Sequence, residues 1–323
     1  MLNSIAYITA SSYLAAGLTI GLGAIGAALG EGYAAGLANE SISYKPKMSG
    51  ELLKNMLVGQ AIAESAAIFA LVVAILLLFA QPSSGSPIVA WSAIGAGLAM
   101  GLAAIGSGIG AGSPAGKACL AIVHQPSEKS RIMTTMLVGS AVCQTPAIFG
   151  IVISFLLIFM DFSSVPPYPG WAALLGAGLA TGLAAIGSGV GNGFTAMEAV
   201  SGTARNPECN SETNRVMLIG MSVGQSTAIY GFLVSLLLVF TKMEPSTSLT
   251  SCLRLLGAGI SSGFGGIGPG IGLGIVAASA VRWVARRPSS TVALIRTMLV
   301  GMAVTESTAI YALIVALLLL FVL

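Results

Sequence analysis

The sequence predicts an all-α membrane protein, with eight transmembrane helices arranged as four tandem helical hairpins. Three observations carry that reading. Hydrophobic residues make up 55% of the 323 residues and charged residues only 8%, against about 25% charged in soluble domains; the mean hydropathy is +0.93. The apolar residues gather in runs longer than the roughly 20 residues that a helix needs to cross a bilayer. The same landmarks recur four times along the chain.

The repeat sets the element order. "MLVG" begins at Met56, Met136 and Met298, and "MLIG" at Met217. The same spacing relates Ile25-Gly26, Ile105-Gly106, Ile186-Gly187 and Ile267-Gly268, then Pro46, Pro126, Pro207 and Pro288, then Phe69, Phe149, Tyr230 and Tyr311. The copies occupy residues 1–82, 86–162, 167–243 and 248–323. Each begins with a Gly-rich apolar segment such as "GAGLAMGLAAIGSGIGAG", turns at a polar stretch holding the repeated proline, and returns as a Leu/Ile/Val/Phe-rich segment. The spacing predicts spanning helices near 8–38, 52–80, 88–122, 131–160, 170–203, 214–241, 250–284 and 292–322. The first is read as a spanning helix, because no basic stretch and small-residue cleavage site mark a signal peptide.

The glycines fall inside apolar runs, which suggests helices whose backbones touch. A thin first helix beside a bulky second one makes each hairpin a wedge, and many such wedges close into a ring with the glycine helices inside. Strings such as "GSGVGNG" follow no strand and lie among apolar residues, so they are not read as phosphate loops. Cys119, Cys143, Cys209 and Cys252 are scattered and His124 is the single histidine, which argues against a disulfide framework or a zinc site. The net charge of +3 includes no basic run, and nucleic acid is not an expected partner. Of the fourteen Lys and Arg, all but Lys242 and Arg254 lie in or beside the four hairpin loops. The positive-inside rule then puts those loops in the cytoplasm and both termini on the opposite side, with the links "QPSSGSP", "SSVPPYPG" and "EPSTS".

Two carboxylates interrupt the second helices. Glu64 and Glu306 lie about 18 residues past Pro46 and Pro288, roughly 27 Å along a helix. A charge at that depth costs about 3 kcal/mol, so such residues are read first as ion relays. In copies 2 and 3 the same position holds Gln144 and Gln225. Glu31, on the first helix of copy 1, reaches a depth similar to Glu64. Two close carboxylates in an apolar site cannot both ionise and would share a proton, or a proton plus a cation. Ser65, Ser307 and Thr308 offer hydroxyl oxygens to a small hard cation.

With the Gly-rich first helix, the loops "ARNPE" at Ala204, "ARRP" at Ala285 and "VHQP" at Val123, and the segment "ESTAIY", each copy resembles the c-type proteolipid of rotary ATP synthases. The resemblance covers essentially the whole chain, four times over. It implies a non-catalytic subunit without cofactor, several chains of which form a homo-oligomeric rotor ring in membrane lipid and carry H⁺ or Na⁺ past a stator subunit. It also implies that the loop residues Arg205, Asn206, Pro207, Arg286, Arg287 and Pro288 contact the central stalk. The loops look F-type; fusion of several hairpins is more familiar in V-type and archaeal-type relatives, which is the alternative subtype. A stand-alone eight-helix transporter is the competing class, and would need a polar path within one chain.

The resemblance also implies a ligand set: a Gln or Glu on the first helix, then Val, Glu, Ser and Tyr on the second. Copy 4 supplies Val304, Glu306, Ser307 and Tyr311, with Leu273 at the first-helix position. Copy 1 supplies Glu31, Ile62, Glu64 and Ser65, with Phe69 in place of the Tyr. Copies 2 and 3, with Ala111 and Asn192 at the first-helix position, read as degenerate. Glu64 and Glu306 are therefore the expected carriers, with Na⁺ allowed at either. A ring keeping two second-helix carboxylates per four hairpins is expected to favour ATP-driven pumping over synthesis.

Overall fold

The computed structural model describes residues 2–79, 86–245 and 247–322. Among the described residues there are ten α-helices and no strand. Hairpin 1 consists of α1 (Leu2–Tyr44) and α2 (Ser49–Phe79). Hairpin 2 consists of α3 (Ile88–His124), α4 (Lys129–Cys143) and α5 (Thr145–Phe159). Hairpin 3 consists of α6 (Pro167–Arg205), α7 (Asn210–Gly224) and α8 (Ser226–Phe240). Hairpin 4 consists of α9 (Leu249–Arg286) and α10 (Thr291–Phe321). Eight helical spans are long and apolar enough to cross a membrane. Most of the first link, within 80–85, and Ser246 lie outside the described residues.

Each hairpin turns on its proline. Pro46, Pro126, Pro207 and Pro288 each open a three-residue 3-10 turn. The residues before them, Lys45, Gln125, Asn206 and Arg287, leave the helix at φ −137°, −134°, −142° and −138°. A proline ring crowds the preceding residue out of the helical region, which ends the first helix at that point. Two of these residues also tie a hairpin to the next one. Lys45 Nζ donates to Val123 O at 2.7 Å, and Asn206 Nδ2 to Ala285 O at 3.3 Å. Both carbonyls lie in the last turn of a helix, where the helix itself supplies no partner.

The first helices stand in a row, α1 against α3, α3 against α6, α6 against α9. Their contact is backbone to backbone, which only glycine permits. A Cβ added at Gly26, Gly106 or Gly187 would lie 2.5, 2.5 and 2.6 Å from the carbonyl oxygens of Ala104, Ala185 and Gly266. The second helices lie outside; those of hairpins 1, 2 and 3 each lie over the groove between their own first helix and the next one, and α10 lies against α9. Hydroxyls join the layers: Ser154 Oγ donates to Ala96 O at 2.7 Å, Ser140 Oγ to Ala111 O at 2.8 Å, and Ser92 Oγ to Leu157 O. In lipid such bonds and close packing replace the hydrophobic drive that holds helices together in water. The row ends openly on both sides. Among the described residues, nothing lies within 4 Å of a Cβ added at Gly17, Gly21 or Gly32 on α1, or at Gly268 on α9.

The outer helices form the four expected spans, two of them with a one-residue irregularity at which the backbone stays in the right-handed helical region. Those of hairpins 1 and 4 run unbroken through Glu64 and Glu306, whereas those of hairpins 2 and 3 break at Gln144 and Gln225. An inner-helix serine of the same hairpin fills each break. Ser107 Oγ accepts the Ala147 amide at 3.1 Å, and Ser188 Oγ donates to Gly224 O at 2.9 Å. At that position hairpins 1 and 4 hold Ala27 and Pro269, which offer no hydroxyl. Pro146 adds a second cause in hairpin 2, since it has no amide hydrogen to give the Val142 carbonyl.

Candidate ion-carrying sites

Glu306 is half-buried on α10, and its Oε1 accepts a hydrogen bond from Tyr230 Oη at 2.6 Å. Tyr230 lies on α8, in the preceding hairpin. The sequence groups Glu306 with Tyr311 of its own hairpin; Tyr311 instead faces the open end of the row and is 63% exposed. The reason is helix phase. Five residues along a helix amount to about 1.4 turns, which carries the tyrosine to the opposite flank from the carboxylate.

The degenerate positions use the same register. Gln144 Nε2 donates to Ile62 O of hairpin 1 at 2.8 Å, and Gln225 Nε2 donates to Val142 O of hairpin 2 at 3.0 Å. Val142 O is available because Pro146, four residues on, cannot use it. At every internal joint, then, the side chain at the carboxylate position meets the preceding hairpin. Both glutamines are buried, and each places its amide on a backbone carbonyl of the preceding hairpin.

The remaining predicted residues take their places around this register. Ser65 and Ser307 donate to Ile62 O and Val304 O of their own helices at 2.6 and 2.7 Å. Glu31 and Glu64 lie close enough to repel one another, and Gln60 Nε2 donates to the Glu31 backbone carbonyl at 3.2 Å. Leu273, the counterpart of Glu31 beside Glu306, is fully buried, and so is Ala111. Asn192, the counterpart in hairpin 3, is 1% exposed, and neither amide atom has a partner among the described residues. Glu64 is exposed at the open side of hairpin 1. At the loop end, Arg205, Arg286 and Arg287 are exposed, with Arg286 lying 5.0 Å over the Trp283 ring. Pro207 O accepts from Arg131 Nη1 at 3.5 Å. Tyr230 is the residue that sequence reasoning missed; its signal was a tyrosine in a hairpin whose carboxylate position holds Gln225.

Comparison with known proteins agrees with this architecture. The ATP synthase subunit-C family matches residues 14–77, 94–157, 175–238 and 256–319, one segment per hairpin. The A-type ATP synthase subunit K of Methanocaldococcus jannaschii is 35% identical over 226 residues, covering 70% of this chain and 94% of that protein. The c subunit of the Natranaerobius thermophilus ATP synthase is 42% identical over 85 residues, 26% of this chain and 98% of its own length. That of Petrotoga mobilis is 54% identical over 70 residues, 22% of this chain and 73% of its own. Matched through all four hairpins, the chain belongs to the ATP synthase subunit-C family.

Proposed function

We propose that Glu64 and Glu306 are the ion carriers of a rotor ring assembled from several copies of this chain. The chain is a membrane rotor subunit and catalyses no reaction of its own. The observation that carries the proposal is Glu306, a carboxylate within an apolar span that accepts a hydrogen bond from the Tyr230 hydroxyl. A carboxylate held that way is neutral when loaded with a cation and charged when empty, and only the neutral form crosses a lipid face cheaply. Each loaded carboxylate meets the stator, exchanges its ion beside a basic stator residue and moves on. The hairpin loops, with Arg205, Asn206, Arg286 and Arg287, face the cytoplasm and the central stalk. The ion is H⁺ or Na⁺. The length of the Methanocaldococcus match supports the archaeal-type alternative for the subtype.

The test is covalent labelling of reconstituted rings with the hydrophobic carbodiimide DCCD, which reacts with protonated carboxyls in lipid. Glu64 and Glu306 should be modified, and ion transport should stop. Labelling confined to the loop acids Glu128 and Glu212 overturns the proposal. Protection by millimolar Na⁺ but not K⁺ identifies sodium as the cargo.

A further inference from the structure

We propose that the chain carries a phosphate-binding site on its inner face, at the loop end of the joint between hairpins 2 and 3. Lys117 and His124 of α3 and Ser201 and Arg205 of α6 build it. The proposal does not depend on which residues carry the ion, because the site lies on the loop side of the carboxylate level and within a single chain.

The four residues line a pocket of about 390 Å³. Every side chain around it belongs to α3 or α6 and none to a second helix, so it opens on the face of the row turned away from the outer layer. Lys117 and His124 are seven residues apart, about two turns, and share one face of α3. Ser201 and Arg205, four apart, share one face of α6. Ala121 and Ala204 keep the space between the helices open. Lys117 is half-buried, and His124 and Arg205 are exposed at the rim. None of these three side chains has a hydrogen bond or ion pair among the described residues.

The neighbouring joints show what this one is built to take. Arg282 Nη2 donates to Glu198 Oε1 at 2.7 Å, which identifies the two positions that face each other across a joint on the inner face. In the repeat register Glu198 corresponds to Leu37 and Lys117, and Arg282 to Leu120 and Ser201. The joint of hairpins 1 and 2 therefore sets leucine opposite leucine. That of hairpins 3 and 4 sets a carboxylate against a guanidinium. Between hairpins 2 and 3, Lys117 faces Ser201, a hydroxyl without charge whose Oγ already donates to Met197 O of its own helix at 3.0 Å. The carboxylates in the same register are engaged elsewhere, Glu198 with Arg282 and Glu40 with Tyr44 Oη at 3.2 Å. Two of the three joints are balanced from within the chain; the middle one gathers cations and supplies no anion of its own.

The donors select the ligand. Lys117 offers a point charge, Arg205 a planar fork and His124 a ring N–H. Donors of three kinds, arriving from two helices, suit the several oxygens of a phosphate. A negatively charged phospholipid headgroup and a soluble phosphate ester share that chemistry. Further from the loops the same face is apolar, with Leu102, Ile105 and Ile109 on α3 and Ile186, Val190 and Phe194 on α6 half-exposed, which is where the acyl chains of a lipid would lie.

The experiment titrates the full chain, as single chains in uncharged detergent micelles, and counts bound ligand by native mass spectrometry. It is run in about 0.15 M ammonium acetate, which screens exposed charges. The probes are phosphatidylglycerol, phosphatidylcholine of the same chain length, and glycerol phosphate. One phosphatidylglycerol or one glycerol phosphate should bind per chain, more tightly than phosphatidylcholine, whose headgroup carries no net charge. Lys117→Gln and Arg205→Gln should each weaken that binding about tenfold, and Lys117→Arg should retain it. Lys54→Gln removes an exposed cation at the same end, from the outer helix α2, and should change nothing. Ser201→Glu gives Lys117 a partner within the chain. It should abolish binding while the midpoint of an SDS titration is no lower than in wild type, which separates loss of the site from loss of the fold. Competition by glycerol phosphate identifies a soluble phosphate as the ligand; binding of phosphatidylglycerol without that competition identifies a lipid headgroup. The proposal is overturned if neither anionic probe binds, if phosphatidylcholine binds as tightly as phosphatidylglycerol, if Lys54→Gln weakens binding as much as Lys117→Gln, or if Ser201→Glu binds like wild type.

Discussion

Replacing Gly106 by alanine tests the packing on which every joint depends. The added Cβ would lie 2.5 Å from the Ala185 carbonyl oxygen and the Ile186 Cα, and 2.7 Å from the Ile186 carbonyl oxygen. A relaxed carbon–oxygen contact is about 3.3 Å, so α6 must retreat by about 0.8 Å at this level. All three obstructing atoms are backbone, and no change of rotamer relieves them. Overpacking of this kind costs about 1–3 kcal/mol. The better helix propensity of alanine returns up to ~1 kcal/mol. The expected net loss is about 1–2 kcal/mol, a factor of roughly 5–30 in the folded ratio. SDS titration of single chains in mixed micelles measures it. The fluorescence of Trp91 and Trp171, whose rings lie 5.5 Å apart across the joint between hairpins 2 and 3, is the readout. Gly36→Ala is the control, because nothing lies within 4 Å of its Cβ, and it should leave the midpoint in place or raise it slightly. An unchanged midpoint for Gly106→Ala, or an equal loss for Gly36→Ala, refutes the claim that backbone approach holds the hairpins together.

Three further outcomes are expected. Restoring carboxylates with Gln144→Glu and Gln225→Glu should raise the ions moved per ATP and lower the limiting gradient, since each ion crossing 100 mV is worth about 2.3 kcal/mol; an unchanged ratio in a normally assembled ring rejects the gearing argument. Gln225→Leu removes the bond to Val142 O and should destabilise single chains by about 1 kcal/mol in the same SDS titration, while rings carrying it keep the wild-type ion-to-ATP ratio; a changed ratio would mean that Gln225 takes part in transport. Asp161, in the link between α5 and α6, accepts the Ser163 amide at 2.9 Å and its hydroxyl at 3.0 Å, and these donors hold its carboxyl below the ordinary carboxylate range. Its contribution is therefore complete at neutral pH and fades as pH falls below about 4. Hydrogen exchange at the Ser163 amide should be faster in Asp161→Asn than in wild type at about pH 7, and the gap should narrow as pH falls through and below the ordinary carboxylate range; a gap that does not change with pH counts against the bond.

The repeat made the fold legible. Proline, glycine and the apolar runs recur in one register, and each has a local meaning: Pro46 ends a helix and Gly106 admits a backbone. The breaks at Gln144 and Gln225 were not legible from those signals. Pro146 marks the first, but hairpin 3 has no such proline, and its break depends on Ser188 reaching across from another helix. The carboxylates were legible because a charge in an apolar run is conspicuous. Their partners were not, because reading along a hairpin pairs Glu306 with Tyr311, and helix phase puts those two side chains on opposite flanks. Only a comparison of neighbouring repeats, hairpin by following hairpin, shows why Tyr230 is a tyrosine.

On the carrier assignment proposed above, the placement of the two glutamines would set the rhythm of rotation. Gln144 and Gln225 occupy the middle hairpins, so in a ring of these chains Glu306 of one chain stands directly beside Glu64 of the next. If Glu64 and Glu306 are the carriers, as proposed above, the carriers come in doublets, one hairpin apart, followed by an interval of three. A stator reading such a ring meets two loads in quick succession and then a long blank arc across hairpins 2 and 3. During that arc nothing binds or leaves, and motion depends on the elastic twist stored when the doublet passed. Rotation would proceed in alternating short and long strides, with as many long strides per turn as there are chains, and a stalk joined to this rotor would have to be compliant enough to smooth them.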